Sequence, residues 1–122
     1  MIWIEPDWPV KDNIHAAVTL RTGGVSQGPF QSLNPASHVN DSLENVRQNR
    51  QVISQMLDLP SEPIWLEQVH SNRVVKADQS THLEQADASY TDQAGIVSVV
   101  MTADCLSILL ATPGDFSLFT NA

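Results

Sequence analysis

The chain has 122 residues, with 6 Lys and Arg against 14 Asp and Glu, a formal net charge of −8 at pH 7 and a single cysteine. This length suits one domain that folds without disulfides, and the scattered basic residues form no patch that would attract a nucleic acid. The amino terminus lacks the basic region and apolar core of a signal peptide, and no apolar stretch is long enough to span a membrane. We therefore expect a cytoplasmic protein that binds neither nucleic acid nor membranes.

The first half of the chain combines a short strand, long loops and one helix. Val18 to Leu20 is β-prone, and turn-forming residues follow from Arg21 through His38. Asp41 and Glu44 have the spacing of a capping box, which predicts a helix from Asp41 to Leu59. The apolar stripe of this helix would consist of Leu43, Val46, Ile53 and Leu57, with Arg50 on the same face. Pro60 and Pro63 would stop the helix.

The second half is predicted to be mostly strands. Residues 64–69 and 73–77 are β-prone and separated by three residues that include His70, which predicts a hairpin. Gly95 to Thr102 and Leu106 to Ala111 are expected to form two buried strands. After a turn, Phe116 to Ala122 has the pattern of a further strand, and a sheet that stopped there would leave an unpaired apolar edge. We therefore expect a fragment of a larger domain.

Cys105 has three possible fates: metal ligand, nucleophile or small apolar core residue. Lone cysteines are usually buried and inert. Cys105, however, stands beside Asp104 where an apolar run breaks, and the ends of strands are where sheet proteins present chemistry. A thiolate there would suit zinc, with histidine nitrogen completing the ligand set.

Four histidines are available as ligands. His70 is the strongest candidate, because it is predicted to end a strand on the same face as the polar Gln68. His38 lies in a long loop, a common location for functional residues. His15 and His82 are expected to be surface residues. None of the spacings matches a structural zinc motif.

The loop from Arg21 to Gly28 is a candidate anion site. Its backbone amides and Arg21 could face a phosphate, although residue chemistry alone favours a flexible turn. The loop lacks the Gly-x-Gly-x-x-Gly spacing and the Gly-Lys-Ser or Gly-Lys-Thr ending of nucleotide-binding loops, so neither a dinucleotide nor a kinase-type site is expected.

Seven short motifs occur in one order along the chain. They are Arg21–Ser26, Ser32–Asn34, His38 with Asp41, Asn49–Arg50, Glu67–His70, Ala86–Ala88 and Thr102–Leu106. Together they resemble the laccase-domain proteins, named multicopper polyphenol oxidases and later described as purine nucleoside phosphorylases with adenosine deaminase activity. The resemblance covers nearly the whole chain and implies an α+β fold of layered mixed β-sheets flanked by helices.

The resemblance also implies a metal, usually zinc, bound by His70, Cys105 and a histidine in a later His-Ala-Gly-Trp-Arg-Gly motif. No histidine follows His82, so we expect residues 1–122 to be the N-terminal half of a single laccase-type domain. Two positions depart from the family pattern: Ser107 replaces the usual proline, and Asn40 the usual glycine.

Four hypotheses follow from the residues and the resemblance. The first is a zinc-dependent purine nucleoside phosphorylase, with Arg21, Asn34 and His38 binding phosphate and nucleoside. The second is a copper-dependent polyphenol oxidase, for which four histidines fall well short of the roughly ten that a four-copper centre needs. The third is a hydrolase that edits peptidoglycan precursors, with Cys105 as nucleophile and His70 as base. The fourth is a non-catalytic fragment that self-associates through exposed strand edges.

Overall fold

A computed structural model describes residues 3–9, 14–79, 83–103, 106–111 and 117–121. The chain divides into two compact units, one formed by Met1–Asp7 and Ala16–Asp58 and the other by Trp8–His15 and Leu59–Ala122. Cys105, Asp104 and His82 lie outside the described residues. No helix in the described part of the chain is long and apolar enough to cross a membrane.

The first unit contains a two-stranded sheet and the helix. Strand β1 (Trp3–Ile4) pairs antiparallel with β2 (Val18–Thr19), and helix α1 spans Leu43–Met56. The helix buries Val46, Asn49 and Ile53, whose spacings of three and four residues place them on one face. The predicted apolar stripe is thus confirmed at Val46 and Ile53. It is wrong at Leu43, which is 69% exposed because it is the first helical residue.

The helix begins later than the sequence predicts, because the expected cap has other partners. Ser42 is the N-cap, and its hydroxyl accepts a hydrogen bond from the Asn45 amide at 3.4 Å. The carboxylate of Asp41 instead accepts bonds from the side chains of Ser26 and Asn34. The prediction of Asp41 as the cap is therefore wrong.

The helix also ends earlier than predicted. The residue after the C-cap Leu57 is Asp58, whose φ of 51° lies in the left-handed region. A left-handed residue at this position ends a helix by itself. The helix therefore stops at Met56, before Pro60 can act.

In its described residues, the second unit has short strands in two sheets. They are β3 (Leu66–Glu67), β4 (Val74–Lys76), β5 (Glu84–Gln85), β6 (Ala88–Thr91), β7 (Ser107–Ala111) and β8 (Ser117–Asn121). Strand β3 pairs parallel with β5. The other four form a sheet in the order β4-β6-β8-β7, with β4 parallel to β6 and the other neighbours antiparallel. The core of the second unit includes Trp65, Leu66 and three alanines.

The predicted hairpin is wrong. Strands β3 and β4 do not pair with each other; each pairs in parallel with a strand from residues 84–91. The stretches 66–76 and 84–91 therefore run side by side in the same direction. Alternation along a strand shows which face is buried but not which strand is its neighbour, so it could not distinguish these arrangements.

The last predicted strands have mixed outcomes. Residues 95–102 form only one bridge, between Ile64 and Ser98, so the first predicted strand is wrong. The next two strands are confirmed as β7 and β8, but the predicted burial of β7 is wrong, since none of its residues is buried and Leu110 is 50% exposed. Strand β8 lies between β6 and β7, so among the described residues the edge strands of this sheet are β4 and β7.

Candidate functional site

The site in the second unit is centred on the carboxylate of Asp87, a residue that is 8% exposed. One carboxylate oxygen, Oδ1, accepts hydrogen bonds from the backbone amides of Val69 at 3.0 Å and His70 at 2.7 Å. The other, Oδ2, accepts from the amide of Ser71 at 2.8 Å and from its hydroxyl at 2.6 Å. Three successive amides of one turn thus point at a single side chain.

The parallel strands place Asp87 at this point. Ala86 and Asp87 are the only residues between β5 and β6, whereas six residues, 68–73, connect β3 to the neighbouring β4. The longer connection must therefore extend away from the sheets. Backbone hydrogen bonds from the Ala86 amide to the Glu67 carbonyl and from the Asp87 amide to the Arg73 carbonyl, both 3.1 Å, hold its two ends together and form its base. Residues 68–72 therefore form a turn around the Asp87 carboxylate.

Arg73 closes the same base with its side chain. Its guanidinium donates to the carbonyl of Gln85 at 2.9 Å and to the carboxylate of Glu84 at 2.5 Å. These contacts hold the beginning of β4 against β5. They complete the frame that supports the turn.

His70 occupies an uncommon backbone conformation in this turn. Its φ of 58° is left-handed, a region that residues other than glycine adopt rarely, at a cost of about 1–3 kcal/mol. The hydrogen bond from its amide to Asp87 helps to offset this cost. The side chain of His70 is exposed, so the turn presents an imidazole to solvent.

The ionisation of Asp87 follows from its neighbours. Burial raises the pKa of its carboxyl, but the hydrogen bonds from the hydroxyl and amide of Ser71 and from the amides of His70 and Val69 outweigh burial and leave the pKa lowered. Asp87 is therefore a carboxylate at neutral pH. An anion is the form that can accept all four bonds.

An exposed imidazole suits the zinc ion that the resemblance implies, since neutral histidine nitrogen is a preferred zinc donor. No group of three or more His, Asp or Glu side chains that could hold a metal ion occurs within the described residues. Cys105, the other predicted ligand, lies outside them. The pairing of His70 with Cys105 therefore stays a prediction.

The first unit contains a polar network around Asn49, which is 0% exposed. Its amide oxygen accepts a hydrogen bond from the backbone amide of Val25 at 2.8 Å. Its amide nitrogen donates to the hydroxyl of Ser26 at 2.8 Å and to the carbonyl of Asn34 at 2.9 Å. One helix residue thus holds two separate loop segments.

Asp41 extends this network at the edge of the helix. It accepts hydrogen bonds from the Ser26 hydroxyl at 2.5 Å, the Asn34 amide at 3.1 Å and the Ser42 amide at 2.7 Å. The bond from Ser26, followed by that from Asn34, lowers the pKa of the Asp41 carboxyl. Asp41 is therefore an anchor for the loop that follows Arg21.

The loop from Arg21 to Gly28 is packed rather than open. A Cβ atom on Gly24 would lie 2.3 Å from the carbonyl oxygen of Ser32 and 2.4 Å from the Asn49 side chain, so only glycine fits. The carbonyl of Arg21 accepts bonds from the amides of Ser32 at 2.6 Å and Leu33 at 2.9 Å. The simple interpretation of this segment as a flexible turn does not describe these contacts.

The predicted phosphate and nucleoside residues all lie in the first unit. Arg21 is exposed, with its Nε donating to the carbonyl of Gln31 at 2.9 Å, and His38 is exposed as well. Asn34 uses its side chain internally, since it donates to Ala36 and Asp41 and accepts from Ala36. Their roles toward a ligand stay predictions.

Sequence reasoning assigned no role to Asp87 or Asn49, although both occur in the recognised motifs. Asp87 could have been noticed because it is a carboxylate between two alanines next to a strand. A charge at such a position is buried only where hydrogen bonds or an ion pair stabilise it. For Asn49 the signal was an amide on the apolar face of the helix.

Comparison with known proteins identifies the family. A family model described as multi-copper polyphenol oxidoreductase laccase matches residues 15–116. The chain belongs to this family. The predicted laccase-domain fold is confirmed by the Neisseria meningitidis protein NMB0706, which superposes with a TM-score of 0.90 at 40% identity over 100% of this chain and 50% of that one.

Curated relatives carry a common name. Proteins named purine nucleoside phosphorylase are 47% identical in Pseudomonas aeruginosa, over 88% of this chain and 43% of the relative, and 46% identical in Haemophilus influenzae, over 89% and 45%. The structure of YlmD from Geobacillus stearothermophilus matches with a TM-score of 0.87 at 29% identity, covering 100% of this chain and 50% of that one. The chain thus spans about half the length of these relatives.

Proposed function

We propose that the whole protein carrying this chain is a zinc-dependent purine nucleoside phosphorylase, with His70 as a zinc ligand. The names of the relatives support the reaction. The observation that carries the site is the turn of residues 69–71, which is fixed on Asp87 and presents the exposed His70. A ligand on a fixed turn loses less conformational freedom when it binds a metal.

Phosphorolysis needs little covalent chemistry from the protein. An oxygen of phosphate forms a bond to C1′ of the ribose, the bond from C1′ to the purine nitrogen breaks, and its electron pair leaves with the base. The protein must hold the anion, orient the nucleoside and exclude water. Bound zinc would supply a Lewis acid, held by His70 and Cys105.

Residues of the first unit would bind the substrates. The Arg21 guanidinium attracts phosphate through charge-assisted hydrogen bonds. Its position depends on the packed loop, because its Nε is anchored on Gln31 and its carbonyl on Ser32 and Leu33. His38 and Asn34 would contact the nucleoside.

The test is turnover of inosine by the zinc-loaded whole protein, followed as hypoxanthine release that depends on phosphate. His70→Ala and Cys105→Ala are expected to lose at least about 100-fold in kcat/KM, whereas His15→Ala, an exposed histidine outside the proposed site, keeps its activity. Unchanged turnover in either ligand variant would refute the site. Turnover of adenosine to inosine without phosphate, in the same preparation, would add the deaminase activity.

The description of the family as multi-copper polyphenol oxidoreductase laccase favours a copper oxidase as the second candidate. We expect the copper-loaded protein to assemble no four-copper centre, measured as its copper content, because the four histidines of this chain fall well short of the roughly ten that such a centre needs. Oxidation of a phenol by the copper form, together with no phosphorolysis by the zinc form, would establish the oxidase instead.

Labelling of Cys105 with iodoacetamide distinguishes a cysteine hydrolase from a zinc enzyme. Zinc protects a metal ligand from alkylation, whereas a nucleophile is labelled equally with and without zinc. Equal labelling, accompanied by loss of activity, would favour the hydrolase.

A further inference from the structure

We propose that Asp87 is a positioning residue that fixes the His70 imidazole for metal binding, an inference that rests on the proposed function of His70. The turn that carries His70 is longer than the segment beside it. Residues 68–73 cover the distance that Ala86 and Asp87 cover in the neighbouring parallel chain. The longer segment has four extra residues, and the sheets do not determine their path.

The Asp87 carboxylate determines that path. In the described part of the chain, no backbone–backbone hydrogen bond holds the amides of residues 68–72. The bonds that hold Val69, His70 and Ser71 are those to Asp87, at 2.6–3.0 Å. The turn around His70 is therefore shaped by one side chain from another segment.

Only an acceptor with two oxygens fits the four donors. Asparagine has nearly the same shape, but its NH2 group would replace one oxygen and face one pair of N–H or O–H donors. Asp87→Asn would thus lose either the bonds from the amides of Val69 and His70 or the bond from the Ser71 amide, since the Ser71 hydroxyl can also accept from an NH2 group. A shorter or longer side chain would lose the register as well, whereas Asp87→Asn separates hydrogen bonding from size.

The conformation of His70 makes this loss specific. The left-handed backbone of His70 persists only where its surroundings impose it, and Asp87 binds its amide directly. Without that bond the turn samples other conformations and the imidazole points elsewhere for part of the time. Removal of a residue that orients a metal ligand typically weakens metal binding by about 10-fold to 100-fold.

The experiment compares the metal-free wild type with Asp87→Asn and a matched control, Asp92→Asn. Asp92 is an exposed aspartate that pairs with Lys76 at 3.4 Å. Hydrogen exchange measures the amides of residues 69–71, and competition with a chromophoric chelator measures zinc affinity. We expect Asp87→Asn to accelerate exchange at least about 10-fold and to weaken zinc binding by about 10-fold to 100-fold, with Asp92→Asn unchanged in both.

Ser71→Ala provides a milder variant if Asp87→Asn does not fold. It removes one bond to the carboxylate and one to the Arg73 amide, so a several-fold loss of zinc affinity is expected. A merely structural role of Asp87 predicts a lower Tm with unchanged zinc affinity of the folded protein. That result would overturn the positioning role and leave the proposed function intact.

Failure of the proposed function looks different. If the wild type binds no zinc, or if His70→Ala binds zinc as tightly as the wild type, His70 is not a ligand. Exchange at residues 69–71 then decides the positioning of the turn by itself, because equal rates in the wild type and Asp87→Asn overturn it.

Discussion

Gly24→Ala tests whether the Arg21 loop is as closely packed as its contacts indicate. The new Cβ atom would lie 2.3 Å from the carbonyl oxygen of Ser32, 2.4 Å from Oδ1 of Asn49 and 2.6 Å from Cα of Leu33. Two of these atoms belong to the backbone, and hydrogen bonds to the carbonyl of Arg21 hold both residues in place. The neighbours therefore cannot yield without breaking bonds.

The cost follows from two contributions. Overpacking costs about 1–3 kcal/mol, and displacement of the Asn49 oxygen from the Val25 amide costs about 1 kcal/mol more. The free energy of unfolding should thus fall by about 2–4 kcal/mol. That is a large share of the roughly 5–15 kcal/mol typical of a folded domain.

Urea unfolding of the wild type and the variant measures this loss as a shift in midpoint of about 1–2 M. Gly28→Ala is the control, because its Cβ meets nothing within 4 Å and its only cost is a left-handed backbone with φ of +63°, about 1 kcal/mol. A loss in Gly24→Ala no larger than that in Gly28→Ala would refute the packing argument.

Three further predictions concern the polar network of the first unit. Asn49→Ala removes three hydrogen bonds of a fully buried side chain, those with the Val25 amide, the Ser26 hydroxyl and the Asn34 carbonyl, and should lower the free energy of unfolding by about 3 kcal/mol, against less than about 0.5 kcal/mol for the exposed Gln51→Ala. Ser42→Ala removes the helix cap and should cost about 1 kcal/mol in the same urea assay; no loss would mean that the 3.4 Å bond is too weak to matter. Because hydrogen bonds lower the pKa of Asp41, its stabilisation is present above the unfolded value of about 3.9 and disappears as pH falls through the folded pKa. The stability difference between the wild type and Asp41→Asn should therefore shrink below about pH 4, and a constant difference down to pH 2 would contradict this assignment.

The sequence predicted the elements that depend on local patterns. The middle of the helix was predictable because Val46 and Ile53 repeat on one face, and the strands β7 and β8 because their apolar residues are contiguous. The beginning of the helix was not, because Asp41 binds Ser26, 15 residues away, instead of capping. Local spacing cannot reveal a competing partner at that separation.

Only part of the candidate site could likewise be predicted from the sequence. His70 was recognisable as a polar residue where a β-prone run ends. The turn that holds it was not, because its four donors reach Asp87 across 16 to 18 residues and through parallel pairing. The hairpin prediction failed for that reason, since it closed the turn with the wrong strand. The resemblance to the family supplied the motif Ala86–Ala88 but not the contacts of its aspartate.

Asn49 and Asp87 perform the same structural task with different chemistry. Each holds loop backbone from a distant segment, but Asn49 accepts from the Val25 amide and donates to the Ser26 hydroxyl and the Asn34 carbonyl, whereas the four hydrogen bonds described above for the Asp87 carboxylate all come from donors. An amide suits the first set and a carboxylate the second. Exchanging the two chemistries should therefore fail in a way that depends on pH.

Asn49→Asp makes this dependence measurable. At neutral pH the new carboxylate would be fully buried against the carbonyl oxygen of Asn34. Burial of its charge costs free energy, and two acceptors that face each other cannot form a hydrogen bond. Protonation restores a donor, so the folded protein binds the proton more tightly than the unfolded chain, and the folded pKa is raised. Stability relative to the wild type should then be lowest at neutral pH and recover as pH falls toward about 4, the unfolded value. Asn49→Ala has no proton to gain, so its deficit should stay constant over the same range, and parallel pH profiles for the two variants would refute the assignment of Asn49 as a buried donor to Asn34.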